Sequence, residues 1–170
     1  LLADTKSRSI SNKETDILIC LSRPKSGRLI CSKLCDYFVR LYASKEFLKK
    51  NKILNINDLN EKPFVSYVDE FVEFPELDYL KEVCRRPKIV FSSNSLRSQL
   101  MAVETGLGLG LLHTFIANNN PNLRVVLKNF IKIKREYWIV VHENNHQLER
   151  IKVFCDFLRE IVKKKIYNFD

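Results

Sequence analysis

The segment YWIVVHENNHQLER, Tyr137 to Arg150, contains His142-Glu143-Asn144-Asn145-His146, which satisfies the pattern HExxH. In zinc hydrolases that spacing sets two imidazoles on one face of a helix to hold the metal, and the Glu between them serves as general base. The chemistry therefore needs a helix. Here the residues ahead of His142 are β-branched and aromatic, which predicts a strand, and Asn144-Asn145 is turn chemistry. Apolar residues at helical spacing begin only at Leu148 and continue through Ile151, Phe154, Cys155, Leu158, Ile161 and Val162, with Phe157 as the outlier. Winding that helix backwards at about 100° per residue puts both histidines on its solvated side. The only other histidine is His113, and no carboxylate follows at a ligand spacing. The segment reads as strand, Asn-rich turn and terminal amphipathic helix, and no metal, cofactor or catalytic residue is assigned.

Three of the four glycines lie in TGLGLGLLHT. A dinucleotide-binding glycine loop follows a strand and opens a helix, so that the helix N-terminus faces the pyrophosphate. The order here is reversed. The helix Ser95 to Glu104 runs into Gly106, which stops it with a positive φ, and a strand follows.

The preceding junction, FSSNSLRSQL, has the order that ligand sites require. A strand ends, Ser92, Ser93, Asn94 and Ser95 follow, and a helix begins with its free N–H groups at the strand's carboxyl end. Ligands of open α/β sheets bind there, and a helix N-terminus favours anions. Plain N-capping by Ser93 or Asn94 is the other reading of the same residues.

The elements that would position these residues alternate along the chain. A short strand at Leu1, a strand at Asp16 to Leu21 stopped by Pro24, and a long extended region through LICSKL and DYFVRLYAS come first. A short helix capped by Ser44 follows, then the strand FVSY, the helix PELDYLKEVC opened by Pro75, the strand KIVFSS and the helix NSLRSQLMAVET. Strands in GLGLGLLHT, LRVVLKNF and EYWIVVH precede the last helix. Such alternation predicts an α/β fold with mostly parallel sheets.

At 170 residues with 45% hydrophobic content, the chain suffices for one full domain or two small lobes. The net charge of +9 is spread along it, with Lys163-Lys164-Lys165 the one run, so a nucleic-acid patch is not indicated. Five cysteines, at 20, 31, 35, 84 and 155, form no CxxC pair, and they read as buried thiols of a reducing cytosol. No apolar stretch reaches the length of a membrane span and no signal peptide is recognised, so a cytoplasmic location is expected.

Taken in order, ADTKSRSISNKETDILICLSRP, CDYFVRLYASKEFLKK, VFSSNSLRSQLMAVETGLGLGLL and EYWIVVHENNHQLERIKVFCDFL resemble the effector-binding domain of LysR-type transcriptional regulators. The resemblance implies two Rossmann-like α/β subdomains of the periplasmic-binding-protein type II kind, joined by two crossover strands, with a small-molecule effector in the cleft between them. The crossovers would be Asp36 to Ser44 and Arg135 to His142. Residues 1–44 and 135–170 would then form the first subdomain and residues 45–134 the second. Carried over position by position, the effector site would be lined by Ser22 and Arg23, by Tyr67 and Val68, and by Ser93, Asn94 and Ser95. His113 stands where the family usually has Pro, near the cleft.

Family members begin with a winged helix-turn-helix, a linker helix and the first strand and helix of the first subdomain, none of which precedes Leu1. The resemblance thus implies an N-terminally truncated regulator with an incomplete first subdomain, DNA contact through the missing part alone, and a homodimer or homotetramer when full length. The expected role is sensing of an anionic or polar metabolite, without membrane contact. Hydrogen-exchange protection is expected mainly between about Phe64 and Val126, with Asp16 to Leu21 exchanging early. The alternatives are a solute-binding receptor of the same two-lobed fold, an enzyme acting through HENNH, and a cysteine-based redox sensor.

Overall fold

A computed structural model of the chain describes residues 15–71 and 74–166. The strand expected at Leu1 lies outside them. The chain divides into two units, with the boundaries between Tyr37 and Phe38 and between Ile133 and Lys134.

The larger unit comprises residues 38–133. Its strands are the end of β2 (Leu29–Ser44), β3 (Pro63–Ser66), β4 (Lys88–Ser92), β5 (Leu109–His113) and β6 (Leu123–Val125). β2 runs antiparallel to β5, β5 parallel to β3, and β3 parallel to β4, while β6 pairs antiparallel with Tyr42 to Ser44. The expectation of mostly parallel sheets is thus only half met. A parallel pair needs a crossover of a dozen or more residues, and β2 is instead one uninterrupted 16-residue strand that meets both of its partners here in the opposite direction. From Cys35 to Leu41 its buried residues alternate, and from Leu41 to Ser44 every residue is buried, as a strand covered on both faces requires.

The helices of this unit are α1 (Lys45–Lys50), α2 (Tyr79–Val83), α3 (Leu96–Glu104) and α4 (Thr114–Ala117). Ser44 caps α1, its Oγ accepting from the Phe47 N–H at 3.1 Å. The helix expected over PELDYLKEVC is two pieces, a 3-10 turn at Pro75–Leu77 and then α2. Pro75 starts the first piece as predicted, but Asp78 leaves helical geometry (φ −81°, ψ 53°) and breaks the run. Core packing comes from Tyr42, Val65, Val103, Leu112, Ala117 and Leu123. Two glycines make this packing possible: a Cβ at Gly108 would lie 2.5 Å from the Pro63 carbonyl oxygen, and one at Gly110 would lie 2.4 Å from Val103 Cγ2.

In the smaller unit, residues 15–37 and 134–166, β1 (Ile17–Cys20) runs antiparallel to β7 (Ile133–His142), which lies between β1 and β2. α5 (Glu149–Ile166) packs on this sheet through Ile151 and Cys155, against Ile139 and Val141 with Ile17, Leu34 and Leu148 around them.

Candidate functional site

The carboxyl ends of β3 and β4 are bound together by their own loops. The Ser93 N–H donates to the Ser66 carbonyl at 3.0 Å, and the Val68 N–H donates to Asn94 Oδ1 at 3.1 Å. Gln99, buried on α3, donates from Nε2 to the Ser93 carbonyl at 2.6 Å. Parallel neighbours bring both strand ends to one side, so the two turns meet there. Tyr67, Val68, Ser93 and Asn94, four of the residues expected to form a site, are thereby brought together.

The N-cap of α3 is Ser95, not Ser93 or Asn94: Ser95 Oγ accepts from the Ser98 N–H at 3.3 Å. Ser93 Oγ accepts from the Ser95 N–H at 3.2 Å, and Asn94 is taken up by Val68. The reason is reach, because a cap must sit where its side chain meets the N–H three residues on. With Ser98 capped and the Gln99 N–H bonded to the Ser95 carbonyl, helix geometry leaves the N–H groups of Leu96 and Arg97 as the donors of this first turn. Ser93 and Ser95 accept through oxygen and keep their hydroxyl hydrogens to donate.

Beside this junction a surface hollow of about 260 Å³ is lined by Ser66, Tyr67, Asp69, Phe74, Asp78 and Lys81, among others. Of the expected site residues only Tyr67 lines it. Asp78 holds the Lys81 ammonium at 2.5 Å and, with Asp69, keeps it above its ordinary range. Asp69, Asp78 and Lys81 were not picked out from the sequence. The one available signal was the YVDEF run directly after a strand, since the loops at strand carboxyl ends carry the ligand contacts.

Behind Tyr67 an aromatic row runs inward. Its ring lies 6.3 Å from that of Tyr79, Tyr79 meets His113 edge-on at 6.3 Å, and His113 lies 5.1 Å from Phe115. The Tyr79 hydroxyl and His113 Nε2 are 3.3 Å apart. Burial pushes the imidazole down to about 4, so His113 is neutral near pH 7. It ends β5 as a core residue linked to Tyr67 through Tyr79.

Ser22 and Arg23 belong to the smaller unit and are exposed. The Arg23 guanidinium lies over the Trp138 ring at 5.8 Å, and Trp138 Nε1 donates to Glu136 Oε2 at 3.1 Å. Glu136 and Asp36 both bind Lys33, at 2.6 and 2.7 Å.

The HENNH residues do not form a helical pair. His142 ends β7 and residues 143–147 are turns, in which His146 Nδ1 contacts the Glu143 carbonyl at 2.6 Å. All five cysteines are free thiols; Cys35, Cys84 and Cys155 are buried as expected, but Cys20 and Cys31 are only half-buried. Burial pushes the Cys20 and Cys35 thiols up to about 11, away from the reactive thiolate. No helix among the described residues is long and apolar enough to cross a membrane.

In a mixed α/β fold, polar loops gathered at strand carboxyl ends are where small ligands are bound. The chain belongs to the LysR substrate binding domain family, which matches residues 4–163, and its fold is of the periplasmic-binding-protein type II-like kind. Solved structures similar to it include the regulatory domain of CrgA, a LysR-type transcriptional regulator from Neisseria meningitidis. That pair has a TM-score of 0.75 at 20% identity, over 91% of this chain and 80% of that one. The CcmR regulatory domain of Synechocystis PCC6803, solved in complex with 2-PG, gives 0.64 at 19% identity over 90% and 76%. Full-length AphB, the Vibrio cholerae virulence activator, gives 0.73 at 18% identity, and this chain, 94% matched, spans 56% of it. No curated protein sequence matches at a significant level.

Proposed function

We propose that this domain senses a small metabolite and passes its presence to a DNA-binding regulator, with no chemistry of its own. The observation that carries the reading is the paired loop after β3 and β4, where Val68 and Ser93 are fixed by Asn94 and Ser66. Such an arrangement is pre-organised, so a ligand meets donors that need no reordering. The effector is a polar or anionic molecule that accepts from the Ser93 and Ser95 hydroxyls and from the Leu96 and Arg97 N–H groups at the start of α3. Tyr67 supplies an aromatic wall, and His113 sets that wall from behind through Tyr79. Ser22 and Arg23 are assigned effector contacts on the family resemblance alone. That CcmR was solved with 2-PG supports a small-molecule ligand for the fold.

On this reading residues 45–134 form one effector-binding subdomain and 1–44 with 135–170 the other, in a cytoplasmic homo-oligomer whose DNA contacts lie in a winged helix-turn-helix and not in this domain. Replacing Ser93 or Asn94 by Leu should abolish stabilisation by the effector while far-UV circular dichroism stays unchanged. Full stabilisation of both variants would refute the site.

A further inference from the structure

The hollow beside the junction of β3 and β4 is acidic in a basic chain. Against a net charge of +9, residues 69–78, DEFVEFPELD, hold five of the 20 acidic residues and no lysine or arginine. Two of those carboxylates, Asp69 and Asp78, line the hollow, with Lys81 as the cation among its walls. Asp78 takes up the Lys81 ammonium at 2.5 Å. Asp69 is exposed and, among the described residues, has no hydrogen bond or ion pair; Lys81 acts on it only at longer range. The hollow therefore keeps one uncompensated negative charge where a solute can reach it.

The hollow is also joined to the start of α3. Inward of it, a cavity of about 10 Å³, the size of one water, shares Ser66, Tyr67, Leu77 and Leu80 with the hollow and is lined besides by Gln99 and Tyr79. Gln99 holds the Ser93 carbonyl through Nε2 and bonds to the Ser95 carbonyl through its own N–H. The Ser66 carbonyl accepts from the Ser93 N–H at 3.0 Å. Ser66 and Tyr67 thus form a wall common to the acidic hollow and to the donors that open α3.

The two ends of this wall call for opposite charges. N–H groups and hydroxyl hydrogens from Ser93 to Arg97 favour an anion, whereas the Asp69 carboxylate favours a cation. An organic amine fits the hollow better than a metal ion does. Phe74, Leu77 and Leu80 give it apolar walls that suit a methylene stem, and among the described residues no three acidic, histidine or cysteine side chains gather as a metal ion requires.

We propose that the effector is a small amino-carboxylate, with its anionic end at the start of α3 and its ammonium in the hollow against Asp69. This rests on the effector site assigned to α3 above and adds that Asp69 selects for the amine.

The test is NMR titration of the isotopically labelled full chain with β-alanine, γ-aminobutyrate and ε-aminocaproate, each beside its amine-free counterpart propionate, butyrate or hexanoate. At least one of the amino acids should shift the amides of Asp69 and Lys81 together with those of Ser93 to Arg97. It should bind saturably and about threefold to tenfold more tightly than its counterpart, the range of a partly exposed charge-assisted contact. Asp69→Asn, isosteric and at the surface, should remove that advantage while leaving the counterpart's binding unchanged, which a loss of fold would not do. Equal binding of both members of every pair at Ser93 to Arg97, unaltered by Asp69→Asn, overturns the proposal and leaves the effector site standing. Saturable shifts that leave Ser93 to Arg97 silent overturn both. Absence of saturable binding by all three amino acids overturns the proposal.

Discussion

His113 couples the stability of the domain to pH in a direction that can be worked out. Its imidazole is buried beside Tyr79 and Phe115, neither of which carries charge, and burial lowers its pKa from the ordinary value of about 6.5 to about 4. The unfolded chain therefore binds the proton more readily between those values, and stability falls as pH drops through that window. From pH 7 to pH 4.5 the loss from this one group is about 2.5 kcal/mol. Other carboxylates titrate in the same range, so the quantity to measure is a difference. Urea unfolding of the wild type and of His113→Gln, which keeps a polar partner for the Tyr79 hydroxyl, should be followed at both pH values. The gap between the two proteins should shift by about 2.5 kcal/mol in favour of the variant on acidification. A gap that does not change with pH would refute the burial argument.

Gly108→Ala should lower the thermal midpoint by the equivalent of about 1–3 kcal/mol, since its Cβ would meet a backbone carbonyl that cannot rotate away. Ser44→Ala removes the buried cap of α1 and should cost about 0.5–2 kcal/mol in chemical denaturation, with the wild-type m-value retained. In native-state hydrogen exchange, Phe64 to Val126 should hold most of the slow amides. Residues 16–21 should exchange early, because β1 is four residues long and, among the described residues, pairs with β7 alone.

Local chemistry made several of these features legible in the sequence. Ser44 and Pro75 mark helix starts by side-chain capping and by a fixed φ, and Gly106 ends α3 with φ +85°. The strand ahead of His142 was readable from β-branched residues, which separated HENNH from a metal helix. Features that depend on a partner in space were not. The long extended run through LICSKL and DYFVRLYAS was readable as β2, but nothing local says that its pairings in the larger unit are antiparallel. Phe154 and Ile161 share the helical period of Ile151 and Cys155, and only the position of the sheet decides which are covered. At the site, a run of small polar residues located the junction, but its division of labour came from distances: Ser95 caps, Ser93 braces Ser95, and Asn94 holds Val68. The hollow with Asp69, Asp78 and Lys81 escaped because its walls come from separate turns of the chain.

The central claim is that a small polar metabolite binds at the joined ends of β3 and β4. The most direct measurement is NMR shift mapping of the full chain with a metabolite chosen by thermal-shift screening. Binding at this site predicts saturable shifts at Tyr67, Val68 and Ser93 to Arg97 that Asn94→Leu removes. Saturable binding whose shifts lie wholly elsewhere, and which Asn94→Leu leaves unchanged, would contradict it.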